Sequence, residues 1–153
     1  MVETGVGLFT VGVFHDLAWA QKGVDALIHA GFPIESLTVL AKDTPDAGAF
    51  IQRVLGAPAD RIDLAGIGTA AARGSLLPVL QGDGGHDLAK LGLAGTMRRV
   101  GFQPHDGRIF DALTARGGVL VAIQGDPRAA DALAILHSYG GGNAAIGAWS
   151  GRV

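Results

Sequence analysis

Apolar residues along the chain follow two spacings, and the change from one to the other predicts where strands and helices lie. Residues 5–14 alternate and then run apolar, which is typical of a central strand. Residues 17–30 carry apolar side chains at helical spacing and end at Gly31. A second apolar run, 36–41, returns as a strand. This strand–helix–strand unit fits either a ferredoxin-like split arrangement or a parallel crossover.

The last third of the chain repeats this order. The run "GGVLVAIQ" predicts a strand, Asp126-Pro127 starts a helix, and "NAAIGAW" closes as a final strand. Two such halves, 5–42 and 117–150, predict an α+β fold: a ferredoxin-like four-stranded sheet with two helices on one face. We interpret 1–153 as a single domain.

The middle of the chain, 43–116, is predicted to be a helical, Gly/Ala-containing insertion between the two halves. Its first helix should be capped by Thr44 and end at Gly56. Residues 64–85 are rich in Gly and Ala and poorly periodic. Two further helices are expected, over 88–100 and 107–116.

Composition narrows the classes of function. Hydrophobic residues make up 48% of the 153 residues and charged residues 17%, so a surface short of charge favours self-association into a homo-oligomer. The net charge of -2, with no long basic run, argues against nucleic acid as a partner. The chain has no cysteine, which excludes disulfides and thiolate chemistry.

Neither the N-terminus nor the most apolar internal stretch predicts a targeting or membrane segment. The opening "MVETG" carries an acid where a signal peptide needs basic residues. The most apolar stretch, near residues 64–82, is broken by Arg73 and Pro78 and should not insert into a bilayer. We expect a cytoplasmic protein.

Three His-Asp pairs are the most conspicuous candidate chemistry. Each pair directly precedes an apolar helical pattern, where a carboxylate can accept hydrogen bonds from the free amides of the first turn. We therefore interpret Asp16, Asp87 and Asp106 as helix caps. The partner histidines, which could bind a transition metal if they converged, are His15, His86 and His105.

Other motifs do not assemble a catalytic site. "GIGTAA", Gly66 to Ala71, matches a dinucleotide fingerprint but lacks a convincing strand before it and an uninterrupted helix after it. It is better interpreted as a Gly/Ala surface for close helix packing. No serine lies in a nucleophile elbow. We expect no cofactor and no catalytic residue.

Two regions predict contact with another subunit. Trp19 points away from the apolar face of its helix and should share a second face with Gly23 and Ala26. The terminal strand, with Ile146 and Trp149, carries no charge, and such an edge invites sheet extension between subunits.

Three segments stand out as shared signatures of turns and strands: Gly31-Phe32-Pro33, "VLAKD" at 39–43 and "RGGVLVA" at 116–122. They resemble segments of the bacterial general stress protein family, also called heat-induced stress proteins. The resemblance covers about two thirds of the chain and implies a small bacterial stress-associated protein without an established enzymatic mechanism. The long apolar Gly/Ala hairpin of that family is not matched by residues 64–85.

Together these observations predict a non-enzymatic, stress-associated accessory or scaffold protein that acts through self-assembly or by binding a protein partner. The alternative hypothesis is a small-molecule or metal-ion sensor that uses His15, His86 and His105. Convergence of these three side chains would distinguish the two.

Overall fold

The computed structural model describes residues 9–82, 85–99, 104–124, 129–139 and 146–149. Within them the chain forms a mixed α+β fold, as predicted, with a 3₁₀ turn at Ile34–Ser36. The strands are β1 (Phe9–Phe14), β2 (Leu37–Lys42), β3 (Asp60–Leu64), β4 (Gly68–Gly74), β5 (Val119–Gln124) and β6 (Ile146–Trp149). The helices are α1 (Leu17–His29), α2 (Pro45–Leu55), α3 (Leu77–Gln81), α4 (Asp87–Arg99), α5 (Pro104–Ala115) and α6 (Ala129–Ser138).

All of these strands pair antiparallel in one sheet of order β3-β4-β2-β5-β1-β6. Strands from the front and rear of the chain are neighbours at its centre, in the order β2-β5-β1-β6. Helix α1 connects β1 to β2, and α6 connects β5 to β6. The sheet therefore ends at β3 on one side and at β6 on the other.

The prediction of a four-stranded sheet with a helical, Gly/Ala-containing insertion over 43–116 is wrong for residues 60–74. These residues form a β-hairpin, β3–β4, that extends the sheet beyond β2. Ala70, Ala71 and Ala72 of β4 are buried. Alanine has a low strand propensity, so these residues do not predict a strand from their sequence. Strand β3 is largely exposed at the sheet edge, so it lacks the continuous apolar run of a central strand.

Helices cover both faces of the sheet, whereas the sequence predicted two helices on one face. One face, with Val39 and Val121, packs against α1, α2 and α6. The other face, with Leu40 and Leu120, packs against α3, α4 and α5. Because side chains alternate between faces along a strand, a fully buried run such as Val119–Ile123 supplies apolar surface to both layers.

Local signals place the start of α1 and both ends of α2 as predicted. The Asp16 carboxylate accepts a hydrogen bond from the Trp19 amide at 3.0 Å (Oδ1 to N). The Thr44 hydroxyl accepts one from the Ala47 amide at 3.1 Å. Gly56 follows α2 as its C-cap.

Helix α4 is kinked at Gly92, where the sequence predicted one regular helix over 88–100. Gly92 has φ 74°, and a Cβ there would lie 3.1 Å from the carbonyl oxygen of Ala65. The Ala65 amide in turn donates to the Leu88 carbonyl at 3.1 Å (N to O). The kink thus accommodates the tip of the β3–β4 hairpin against α4.

The hairpin is joined to the central sheet by a close contact between β4 and β2. Gly74 has φ 138°, and a Cβ there would overlap the backbone and hydroxyl of Thr38. The buried Thr38 hydroxyl accepts a hydrogen bond from the Leu76 amide at 2.9 Å (Oγ1 to N). Since β3 pairs with β4, the edge strand is held to β2 through β4.

Candidate functional site

The three candidate histidines lie on the surface and do not form a ligand set. His15 occupies the turn after β1, His86 precedes α4, and His105 lies in the first turn of α5; all three are exposed. In the described ranges no group of three or more His, Asp or Glu side chains could hold a metal ion. The geometry therefore gives no support to the metal-sensor hypothesis.

Of the paired aspartates, Asp16 caps its helix and the other two differ from the prediction. Asp87 is the first residue of α4, and its carboxylate lies 2.8 Å from the Arg99 guanidinium (Oδ2 to Nε). Asp87 therefore forms an ion pair with Arg99, whose guanidinium also contacts α3. Helix α5 begins at Pro104, which puts Asp106 inside the first turn instead of before it.

Arg99 joins α4 to the preceding short helix. Its Nη2 donates to the carbonyl oxygens of Val79 at 2.8 Å and Leu80 at 3.0 Å. The Leu88 amide donates to the Gln81 side-chain oxygen at 3.2 Å. These bonds satisfy backbone groups near the ends of α3 and α4, so this polar cluster has a structural role.

The Gly66–Ala71 motif forms the hairpin turn and the first part of β4, not a nucleotide-binding loop. The Ile67 amide closes the turn by donating to the Leu64 carbonyl at 3.0 Å (N to O). The segment that follows is a strand, so no helix N-terminus faces these glycines.

The outer surface of α1 exposes Trp19, as predicted. Trp19 is 45% exposed, and the Lys22 ammonium lies 4.7 Å from the centroid of its ring. Ala26 is half-buried on the same helix. Gly23 is buried, because a Cβ there would overlap the ring of Phe14 on β1, so it belongs to the core and not to this surface.

Strand β6 begins at Ile146 and ends at Trp149, and its backbone pairs with β1. Their side chains lie outside the part of the chain that the structure describes. Their assignment to an interface stays a prediction, as does that of Trp19 and Ala26.

Strand β3 forms a charged edge that the sequence reasoning missed. The Arg61 guanidinium donates to the Asp43 carboxylate at 2.9 Å (Nε to Oδ2). The Arg61 side chain nevertheless remains 76% exposed. Asp60 and Asp63 are exposed, and Ile62 between them packs partly into the core. The signal that could have found this strand is the alternation of charged residues with Ile62 and Leu64.

Two clefts flank this edge. One, of about 510 Å³, is lined by residues of β3, β4 and α3, among them Ile62 and Arg73. The other, of about 620 Å³, lies beside the start of α2 and is lined by Asp43 and Arg61. Among their described lining residues there is no histidine or serine.

Comparisons with known proteins give no family to carry over: no family model, curated protein or solved structure matches the chain. Among the helices that the structure describes, none is long and apolar enough to span a bilayer. A function must therefore be argued from the geometry of the chain itself.

Proposed function

We propose that the protein is a non-enzymatic accessory or scaffold domain that works by associating with itself. The observation that carries this proposal is that the sheet has two edge strands, β3 and β6, each with one unpaired side among the described residues. In the described residues, β3 pairs with β4 alone and β6 pairs with β1 alone. The outward backbone groups of such edge strands can pair with a strand of another chain.

The fold we infer for the two halves is ferredoxin-like. The neighbouring strands β2-β5-β1-β6, linked by α1 and α6, support this inference. Helix α2, the β3–β4 hairpin and helices α3 to α5 are then additions between the halves. In this interpretation α2 packs on the first face of the sheet, α3 to α5 cover the second face, and the hairpin creates the charged edge.

A stress-associated role in the bacterial cytoplasm is the setting we propose for this domain. It is supported by the resemblance of residues 31–33, 39–43 and 116–122 to general stress proteins. The low content of charged residues, 17%, supports association between subunits, because less charge must be desolvated or opposed when two surfaces meet.

The mass of the purified protein in solution tests this proposal. Size-exclusion chromatography with light scattering at tens of micromolar should give at least twice the chain mass of 15.5 kDa, with dissociation on dilution measured by analytical ultracentrifugation. A monomer throughout that concentration range would reject self-association as the mode of action.

A further inference from the structure

We propose that β3 pairs with β3 of a second copy of this chain, antiparallel and in a register centred on Ile62. This inference rests on the self-association proposed above and names its partner and contact. The result would be one continuous sheet across a two-fold axis, the symmetry that the commonest homodimers adopt.

The outer edge of β3 is open in the described structure. Residues 60–64 pair with β4 on one side. The other backbone hydrogen bonds near this strand lie at the hairpin turn, where Ile67 bonds to Leu64 and Ala65 bonds to Leu88. Among the described residues, none pairs with the outward side of residues 60–63.

Charge complementarity selects a second copy as the occupant. Arg61 and Asp63 are two residues apart, so their side chains share one face of the strand. In an antiparallel pair centred on Ile62, Arg61 stands opposite Asp63 of the partner subunit, and the symmetry repeats this pair. Opposite charges that face each other across two strands stabilise the pairing.

The same charges oppose the competing registers. The two nearest registers that keep each side chain on its own face are centred on residue 61 or 63. They place Arg61 opposite its own copy or Asp63 opposite its own copy, and like charges in such positions are destabilising. A shift by one residue exchanges the two faces of the strand. In one direction it brings Asp60 opposite Asp63 of the partner subunit, and in the other it leaves Arg61 opposite Leu64.

Charges on an edge strand usually prevent pairing. This edge differs because its charges alternate in sign about a central apolar residue. The ion pair with Asp43 restrains Arg61 through Nε while most of the side chain remains exposed. Strand β4 lies between Arg61 and Asp43, so the bound side chain points away from the open edge. In the dimer the Arg61 guanidinium therefore exchanges Asp43 for Asp63 of the partner subunit, a carboxylate that its N–H donors can bind in the same way.

Charge reversal at these two positions tests the contact. Arg61→Asp alone and Asp63→Arg alone should each weaken the dimer by roughly tenfold or more in Kd, because two attractive pairs become repulsive. Mixing the two variants should restore association as a heterodimer, in which each altered residue faces an opposite charge. The double variant Arg61→Asp/Asp63→Arg should dimerise by itself.

Asp43→Asn serves as the control, since it removes the ion pair within the chain but keeps both proposed pairs between chains. Because it removes a carboxylate that competes for Arg61, its Kd should be unchanged or lower by up to about threefold, the range expected for an exposed ion pair. Circular dichroism establishes that each variant is folded. If a variant does not fold, salt provides the second test: raising NaCl from about 0.05 M to about 0.5 M should weaken the unaltered dimer several-fold.

Outcomes for this contact and for the proposed function can be separated by ultracentrifugation of the same samples. A monomeric unaltered protein overturns both. A dimer that neither single charge reversal nor salt weakens overturns the β3 contact and leaves self-association standing. Weakening by each single variant, with recovery in the mixture, is the result we expect.

Discussion

The two edge strands of the sheet, β3 and β6, differ in charge. At one end, β3 carries three charged residues in five, and its hairpin is held by the contact of Ala65 with α4 and by the ion pair of Arg61 with Asp43. At the other end, β6 reads Ile-Gly-Ala-Trp, without a charge, and pairs with β1. A pattern of charges can specify one partner register, whereas an uncharged strand cannot discriminate between registers by charge.

The largest effect should come from separating the charged end from the central sheet. Gly74→Ala would force a Cβ into Thr38 at a φ of 138°, so both overlap and backbone strain oppose the folded state. We expect the free energy of unfolding to fall by about 3 kcal/mol or more, measured by urea denaturation.

Gly48→Ala is the matched control for this change. Gly48 lies in α2, and no atom comes within 4 Å of an added Cβ. Alanine should therefore raise the unfolding free energy by about 0.5–1 kcal/mol. A loss of under about 1 kcal/mol for Gly74→Ala would show that the hairpin is not anchored at this contact.

A smaller effect on stability is expected for Trp19, which lies in α1 and on neither edge strand of the sheet. Trp19→Ser removes the contact with Lys22 and the buried part of a ring that is 45% exposed, so the unfolding free energy should fall by about 1–2 kcal/mol. The Kd of the dimer should stay within about twofold of the unaltered value. Weakening by tenfold in sedimentation would instead assign the interface to the outer surface of α1.

The smallest effect should follow from adding a charge to the uncharged end. With the subunits joined through β3, Trp149→Lys should leave the dimer Kd within about twofold, because an interface distant from the change is insensitive to it. Sedimentation of this variant beside Arg61→Asp compares the two ends directly. Loss of the dimer in Trp149→Lys alone would reverse the comparison and place the contact at β6.

Sequence reasoning succeeded where the signal is local. The limits of α2 follow from Thr44 and Gly56, which act on backbone groups within one turn of each helix end. The run Val119–Ile123 predicts β5 because a strand buried on both faces must be apolar throughout. These elements needed no knowledge of distant residues.

It failed where a distant contact decides the structure. Ala70–Ala72 become strand because β2 and β3 pair on either side of them, and alanine by itself carries no such signal. Asp87 lies inside α4 instead of before it, and its carboxylate pairs with Arg99, twelve positions later. The charged edge depends likewise on Asp43, which pairing of the hairpin brings to Arg61.

A cysteine at the proposed two-fold axis offers the most direct test of the β3 contact. The chain has no natural cysteine, so Ile62→Cys introduces a single thiol in each subunit. Residues directly opposite in an antiparallel pair have Cα atoms about 4.5–5.5 Å apart, which is within the range of a disulfide. Leu91→Cys, at a residue that is 49% exposed on α4, controls for random collision.

Mild oxidation followed by non-reducing electrophoresis gives the answer. We predict that Ile62→Cys forms a covalent dimer rapidly and nearly completely, while Leu91→Cys remains largely monomeric under the same conditions. Equal, slow cross-linking of both variants in a protein that still dimerises would contradict the pairing of β3 with its own copy.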